Sequence, residues 1–262
     1  MPSNNVFAIQ LDIVWEDKAA NYSRVRSLLA ANPPSPGSLV VLPEMFATGF
    51  SMNLGLTRQG PAREDESFLA EMARKYKATM VAGVVSEGSA GIGSNESVAI
   101  SPEGELLARY AKIHPFSLGG EIRCHKPGTE IVTLPWGEFV VAPFVCYDLR
   151  FPEIFRAAAF RGANLFVVIA LWPVKRQQHW LTLLQARAIE NQAYVVGVNR
   201  TGSEPLYSYA GRSVVVDPHG VIIADAGERE QILGATLEPE IVISWRKDFP
   251  ALSDAHWRDS VS

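Results

Sequence analysis

The sequence predicts an α/β fold in which two β-sheets lie face to face with helices outside. Three observations carry this. Short apolar runs of strand character alternate with segments whose apolar residues recur at helical spacing, the order that builds parallel βαβ units. That order runs through the chain twice: SVAISPEGELLA (97–108) and SVVVDPHGVIIA (213–224) echo each other 116 residues apart. The spacing suits duplicated βα halves and is too long for a solenoid repeat. No linker separates the halves, so the 262 residues read as one domain spanning 1–262.

In the first half, Val6–Leu11 is an apolar run suited to a buried strand, and Asp17–Ala31 places Ala20, Val25, Leu28 and Leu29 at helical spacing. Pro33, Pro34, Pro36 and Gly37 break that helix before a second strand, Leu39–Leu42. Glu64–Tyr76 is a helix turning Phe68, Leu69 and Met72 inward, and Thr79–Val85 is a third strand. Ser97–Ile100 and Glu105–Ala108 flank the turn Ser101-Pro102-Glu103-Gly104. The second half repeats the order. Phe139–Val145 is a strand and Pro152–Arg161 a helix with proline in its first turn, where the missing N–H costs least. Leu165–Ala170, Lys175–Asn191 and Ala193–Val198 follow as strand, helix and strand, and Ser213–Val216 and Val221–Ala224 flank Asp217-Pro218-His219-Gly220. The polar end of the chain, 239–262, carries Trp245, Phe249 and Trp257 and is expected to pack at an oligomer interface.

Composition narrows the function. Hydrophobic residues at 47% and charged residues at 20% exclude a disordered chain and a coiled coil. The net charge of −4, without a basic stripe, argues against a nucleic-acid partner. The longest apolar run, Leu165–Val174, is too short to cross a bilayer. Met1–Trp15 lacks a basic region, and Gln10 and Asp12 interrupt its apolar stretch, so the expectation is a soluble cytoplasmic protein. Cys124 and Cys146 are too few for a disulfide scaffold, and no Cys/His cluster has zinc spacing. Both are expected as free thiols, with no metal site.

In open α/β sheets, sites form beyond the carboxyl ends of strands. Glu44, in Leu42-Pro43-Glu44-Met45-Phe46, and Cys146, before the Pro152 helix, occupy such positions. Between them Tyr110-Ala111-Lys112-Ile113-His114, if extended, turns Tyr110, Lys112 and His114 to one face. Singly, Glu44 reads first as a surface carboxylate and Lys112 as a solvated lysine, while Cys146 reads equally as an inert buried thiol. Cys124, in the polar stretch Glu121-Ile122-Arg123-Cys124-His125, reads as incidental.

In combination and in this order, the segments around Glu44 and Lys112, together with Cys146-Tyr147-Asp148-Leu149-Arg150-Phe151-Pro152-Glu153, resemble the nitrilase superfamily of carbon–nitrogen hydrolases. His179-Trp180 and Ala186-Arg187-Ala188-Ile189-Glu190-Asn191-Gln192 add to the resemblance, which runs from about Val6 to Trp245. Met45-Phe46-Ala47-Thr48-Gly49-Phe50-Ser51-Met52 is similar to the bacterial omega-amidase branch, which releases ammonia from ω-amides of 2-oxo acids. The resemblance implies a four-layer α-β-β-α sandwich of two pseudo-repeated halves and a homodimer or larger assembly. It also implies a catalytic trio of Glu44, Lys112 and Cys146, with a further glutamate in the loop after the lysine, placed on Glu121.

The implied chemistry needs no metal or organic cofactor. An ordinary thiol has a pKa of about 8.5, so at neutral pH it needs a base. Glu44, half-buried behind its strand where burial favours the neutral carboxyl, would take the thiol proton and pass it to the departing ammonia. Protonated Lys112 and the backbone N–H of Tyr147 would serve as oxyanion donors, each worth about 3–4 kcal/mol in the transition state. A thioester on Cys146 would then be hydrolysed. His114, His125 and His179 read as structural. A small amide with a remote carboxylate favours a cationic partner, for which Arg176 is the candidate, and Phe116 and Trp172 are candidate pocket walls. A deaminated-glutathione amidase, an N-carbamoyl amino-acid hydrolase, a nitrilase and, more remotely, a non-catalytic interaction protein are the alternatives on the same fold.

Overall fold

The computed structural model describes residues 4–88 and 91–256, so residues 257–262 of the expected interface segment, Trp257 among them, lie outside the described residues. The first half runs β1 (Asn5–Gln10), α1 (Lys18–Ala31), β2 (Leu39–Val41), α2 (Leu54–Thr57), α3 (Glu64–Tyr76), β3 (Thr79–Glu87), β4 (Gly93–Ile100) and β5 (Leu106–Ala111). The second runs β6 (Leu134–Trp136), β7 (Phe139–Val145), α4 (Pro152–Phe160), β8 (Leu165–Ala170), α5 (Gln177–Asn191) and β9 (Tyr194–Asn199). A small hairpin of β10 (Thr201–Ser203) and β11 (Ser208–Ala210) precedes β12 (Val214–Val216), β13 (Ile222–Asp225), β14 (Gln231–Thr236) and α6 (Pro239–Asp248).

Among the described residues the other strands form two six-stranded sheets, ordered β14-β1-β2-β3-β4-β5 and β13-β12-β9-β8-β7-β6. The internal echo is a topological one. In each sheet three parallel strands (β1-β2-β3, β7-β8-β9) continue into an antiparallel hairpin (β4-β5, β12-β13). Each hairpin carries one of the two matching sequence segments. A strand not read from the sequence then pairs antiparallel onto the outer side of the first parallel strand in each half, β14 on β1 and β6 on β7.

Side-chain alternation builds the layers. Val6, Ala8, Leu39, Val41 and Val81 enter the core shared with the second sheet. Their neighbours Ile9, Val40, Leu42, Met80 and Ala82 pack with Val25 and Leu29 of α1 and with Phe68, Leu69 and Met72 of α3. On the second sheet, Phe155 and Ala158 of α4 and Trp180, Leu184 and Ala188 of α5 cover the outside. The result is α-β-β-α layering. Asp17 caps α1, its Oδ1 accepting from the Ala20 N–H at 2.9 Å.

Where structure and sequence reading differ, weak local signals are the reason. β14 is a half-exposed edge whose partner lies more than 200 residues away, so no neighbouring pattern marks it. β4 begins at Gly93, not Ser97, because buried Asn95 and Glu96 interrupt its apolar pattern. The segment after Pro239 forms α6, which docks on its own chain. Val242 is buried, and the Arg246 Nη2 donates to the Ala163 carbonyl at 2.8 Å, while Ile243 and Phe249 stay exposed. Among the described residues no helix is long and apolar enough to cross a membrane.

A charge network ties α3 to the first sheet. Arg63, Arg109 and Gln59 all donate to the Glu66 carboxylate, which burial opposes but these donors hold down to about 2. A depressed carboxyl contributes stability above its unfolded value, about 4.5, and loses it as pH falls toward 2. We therefore expect Glu66→Gln to lower the urea-unfolding free energy by about 2 kcal/mol at pH 7. The gap to the parent protein should narrow steadily below pH 4.5; a gap independent of pH would count against this account.

Candidate active site

The carboxyl ends of β2, β5, β7 and β8 converge, and each contributes one part of a buried cluster. Glu44 follows β2 on a backbone pressed against Gly83 of β3. A Cβ at Gly83 would lie 2.5 Å from the Glu44 Cα and from the Met45 nitrogen, so only glycine lets the two segments approach this closely. Lys112 follows β5, and its ammonium lies 2.8 Å from Glu44 Oε1 and 2.8 Å from Glu121 Oε2. The side chains of Glu44 and Glu121 are 0% exposed and that of Lys112 is 1%, so Glu44 is fully buried, where the sequence suggested half-burial.

Hydrogen bonds complete the cluster. The Asn95 Nδ2 donates to Glu44 Oε1 and to Glu121 Oε1, each at 2.7 Å. The Leu171 N–H, beyond the end of β8, donates to Glu44 Oε2 at 2.9 Å, and the Phe116 N–H donates to Glu121 Oε2 at 2.6 Å. Burial alone disfavours charge in such a place. Burial opposes the Lys112 charge, yet Glu121 and Glu44 push its pKa above the ordinary lysine range. Burial likewise opposes the Glu121 charge, but Lys112 holds that carboxyl below the usual range.

Cys146 ends β7 at φ 48°, a left-handed conformation rare for a side chain other than glycine. It starts a short 3-10 turn, Cys146–Arg150. Asp148 holds that turn in place. Its Oδ2 accepts from the Val145 N–H at 3.1 Å and from the Tyr110 hydroxyl at 2.8 Å, and its Oδ1 accepts from the His114 N–H at 2.9 Å. This explains the Tyr110–Lys112–His114 spacing. The outer two residues grip the turn that carries Cys146, and the middle one grips the two glutamates. The Cys146 thiol lies 3.9 Å from the Leu171 carbonyl, whose own N–H binds Glu44. Burial, with Glu44 adding to it, pushes the thiol well above its ordinary pKa, so it rests protonated.

Cys146 opens onto a small cleft lined by Phe50, Phe116, Tyr147, Arg150, Trp172, Arg176 and others. The structure therefore brings together Glu44, Lys112, Glu121 and Cys146, with Tyr147 beside them, and places Phe116, Trp172 and Arg176 on the cleft wall. Cys124 is a free, half-buried thiol elsewhere. His114 pairs with Asp148 and His179 with Arg150, and among the described residues no His/Cys/Asp/Glu group fits a metal ion. Sequence reading missed Asn95, Asp148, Arg150, Tyr207 and Tyr209 as parts of the site. Asp148 and Arg150 stand inside the quoted cysteine segment and were open to notice there. Asn95 was not, since a polar residue in a strand signals no particular partner.

A family model described as carbon-nitrogen hydrolase matches residues 5–247. The chain is 38% identical to a 2-oxoglutaramate amidase from Paenarthrobacter nicotinovorans, covering 88% of this chain and 82% of that protein. It is 37% identical to the omega-amidase YafV from Yersinia enterocolitica, with 94% of both chains covered. Among solved structures, XC1258 from Xanthomonas campestris, a CN-hydrolase superfamily protein, superposes with a TM-score of 0.89 at 31% identity. That match covers 97% of this chain and 98% of the other.

Removing one member of a buried ion cluster strands the others. Lys112→Met should destabilise the protein by about 3–5 kcal/mol in urea unfolding. Adding Glu44→Gln and Glu121→Gln to that variant should recover much of the loss. A triple variant no more stable than the single one would show that packing, not charge balance, makes Lys112 necessary.

Proposed function

The chain belongs to the carbon–nitrogen hydrolase family, and from that premise we propose that it is an omega-amidase. It hydrolyses the ω-amide of small 2-oxo dicarboxylic acid monoamides such as 2-oxoglutaramate and 2-oxosuccinamate, yielding the 2-oxo dicarboxylate and ammonia. The observation that carries this reading is the convergence of Glu44, Lys112 and Glu121 behind a buried cysteine that opens on a small cleft. The names of the similar amidases support the choice of substrate.

The reaction proceeds as follows. Substrate enters with its amide carbon over the Cys146 sulfur. Because the thiol rests protonated, attack and proton transfer are coupled: Glu44 takes the proton as sulfur bonds to carbon. The tetrahedral oxyanion is met by the Lys112 ammonium and the Tyr147 backbone N–H, donors worth about 3–4 kcal/mol each. Collapse breaks the carbon–nitrogen bond, and Glu44 returns the proton so that ammonia leaves. Water, deprotonated by Glu44, then attacks the thioester and releases the acid and the thiol. Glu121 holds Lys112 together with Glu44 and keeps its ammonium charged. Phe116 and Trp172 wall the substrate, and Arg176 attracts its remote carboxylate. The same reading takes 1–262 as one catalytic domain, working as a homodimer or larger in a reducing cytoplasm where both thiols stay free.

Cys146→Ala should abolish ammonia release from 2-oxoglutaramate while leaving the circular dichroism spectrum intact, and retained activity would end the proposal. Lys112→Ala should lower kcat more than it raises KM, whereas a pure KM effect would contradict the oxyanion role. Gly83→Ala pushes on the backbone that carries Glu44 and should cost about 100-fold in kcat/KM, the size expected for misplacing a reacting group by about 1 Å. Ammonia release measured over 2-oxoglutaramate, 2-oxosuccinamate, glutamine, deaminated glutathione and simple nitriles tests the substrate class.

A further inference from the structure

Two guanidinium groups, Arg150 and Arg176, line the cleft onto which Cys146 opens. Several other part-buried arginines face carboxylates, as Arg109 meets Glu66 and Glu96, Arg187 meets Glu190 and Arg200 meets Glu204, while Arg246 is held by backbone carbonyls. Among the described residues, Arg150 and Arg176 meet no carboxylate. The Arg150 guanidinium lies 4.8 Å above the Trp172 ring, with its Nη2 3.2 Å from the His179 Nδ1. The Arg176 guanidinium lies 5.5 Å above the Phe116 ring. Burial, with the nearby Arg176 charge adding to it, holds Arg150 below the ordinary arginine range. Two half-buried cations that repel each other, cushioned by aromatic rings and facing one cavity, are short of an anion.

We propose that Arg150 and Arg176 act together as a clamp for the substrate's remote carboxylate, and that their joint charge makes the cleft discriminate against amides bearing an α-ammonium group. The inference rests on the omega-amidase reading and deepens it. A 2-oxo acid presents the clamp with acceptors alone, namely two carboxylate oxygens and the neighbouring ketone oxygen. The matching amino acid replaces that ketone with a cation, which two unpaired guanidinium groups repel. Arg150 is thus a specificity-determining residue. It closes the same short turn that Cys146 opens, so the clamp is held at a set distance from the sulfur.

The test compares kcat/KM for 2-oxoglutaramate, for glutamine and for uncharged pentanamide in the parent protein, Arg150→Met, Arg150→Lys and Arg176→Met. The 2-oxoglutaramate to pentanamide ratio should fall about 30-fold in Arg150→Met, chiefly through KM, the size expected for one charge-assisted contact. Arg150→Lys should recover part of it, and the preference for 2-oxoglutaramate over glutamine should shrink in both methionine variants. If both amides lose activity by the same factor, Arg150 is merely structural and the clamp is wrong. Should Arg150→Met fail to fold, Arg150→Lys and Arg176→Met read the same ratio. A parent protein that prefers pentanamide to 2-oxoglutaramate overturns the omega-amidase reading instead. The clamp is then judged without turnover, by whether glutarate slows iodoacetamide labelling of Cys146 in the parent protein and not in Arg176→Met. No protection in the parent protein would overturn it.

Discussion

One ammonium ion shared by two carboxylates, all three out of contact with water, is the constraint that the rest of the molecule serves. Lys112 lies 2.8 Å from both Glu44 and Glu121. Each of these charges is costly to bury, and each is tolerable only because the others and their hydrogen bonds offset that cost. The donors come from far apart in the chain: Asn95 in β4, Phe116 in the loop after β5 and Leu171 beyond β8. The two sheets must therefore meet at one end, and the loop after Lys112 must fold back over it, before the cluster can exist. Gly83 has the same logic at smaller scale, giving up a side chain so that the Glu44 backbone can reach its place.

The duplicated architecture supplies the second requirement, a nucleophile on the opposite sheet. In the proposed reaction the base and the ammonium donor come from the first half, and the thiol and the Tyr147 N–H donor from the second, so chemistry takes place across the interface of the two sheets. Asp148 joins the halves directly, since Tyr110 and His114 of the first both reach it in the turn that carries Cys146. The charges are also segregated along the cleft. Two glutamates and one lysine sit behind Cys146, and two arginines line the cleft in front of it. A substrate with a neutral amide at one end and a carboxylate at the other is oriented by that separation alone.

Much of this was legible in the amino-acid order. The buried strands Phe139–Val145 and Leu165–Ala170 and the helix Glu64–Tyr76 appear where apolar periodicity places them. The two echoing hairpins occupy equivalent positions in the two sheets. Glu44, Lys112 and Cys146 stood out because strand ends with reactive side chains are few and their order along the chain is distinctive. Such features are local: a strand or helix imposes its period on adjacent residues, and a motif is a run of neighbours.

The tertiary structure alone decided the rest. It showed that Glu44 is fully buried and ion-paired, that Glu121 shares its lysine, that Asn95 bridges the two glutamates and that Arg150 joins Arg176 in the cleft. It also brought β14 back beside β1, closing the first sheet with a strand from the far end of the chain. Each of these pairs residues whose separation in sequence bears no relation to a helical or strand repeat. Their partners are set by sheet register and by the need of buried charges to find one another, and neither leaves a periodic trace in the chain.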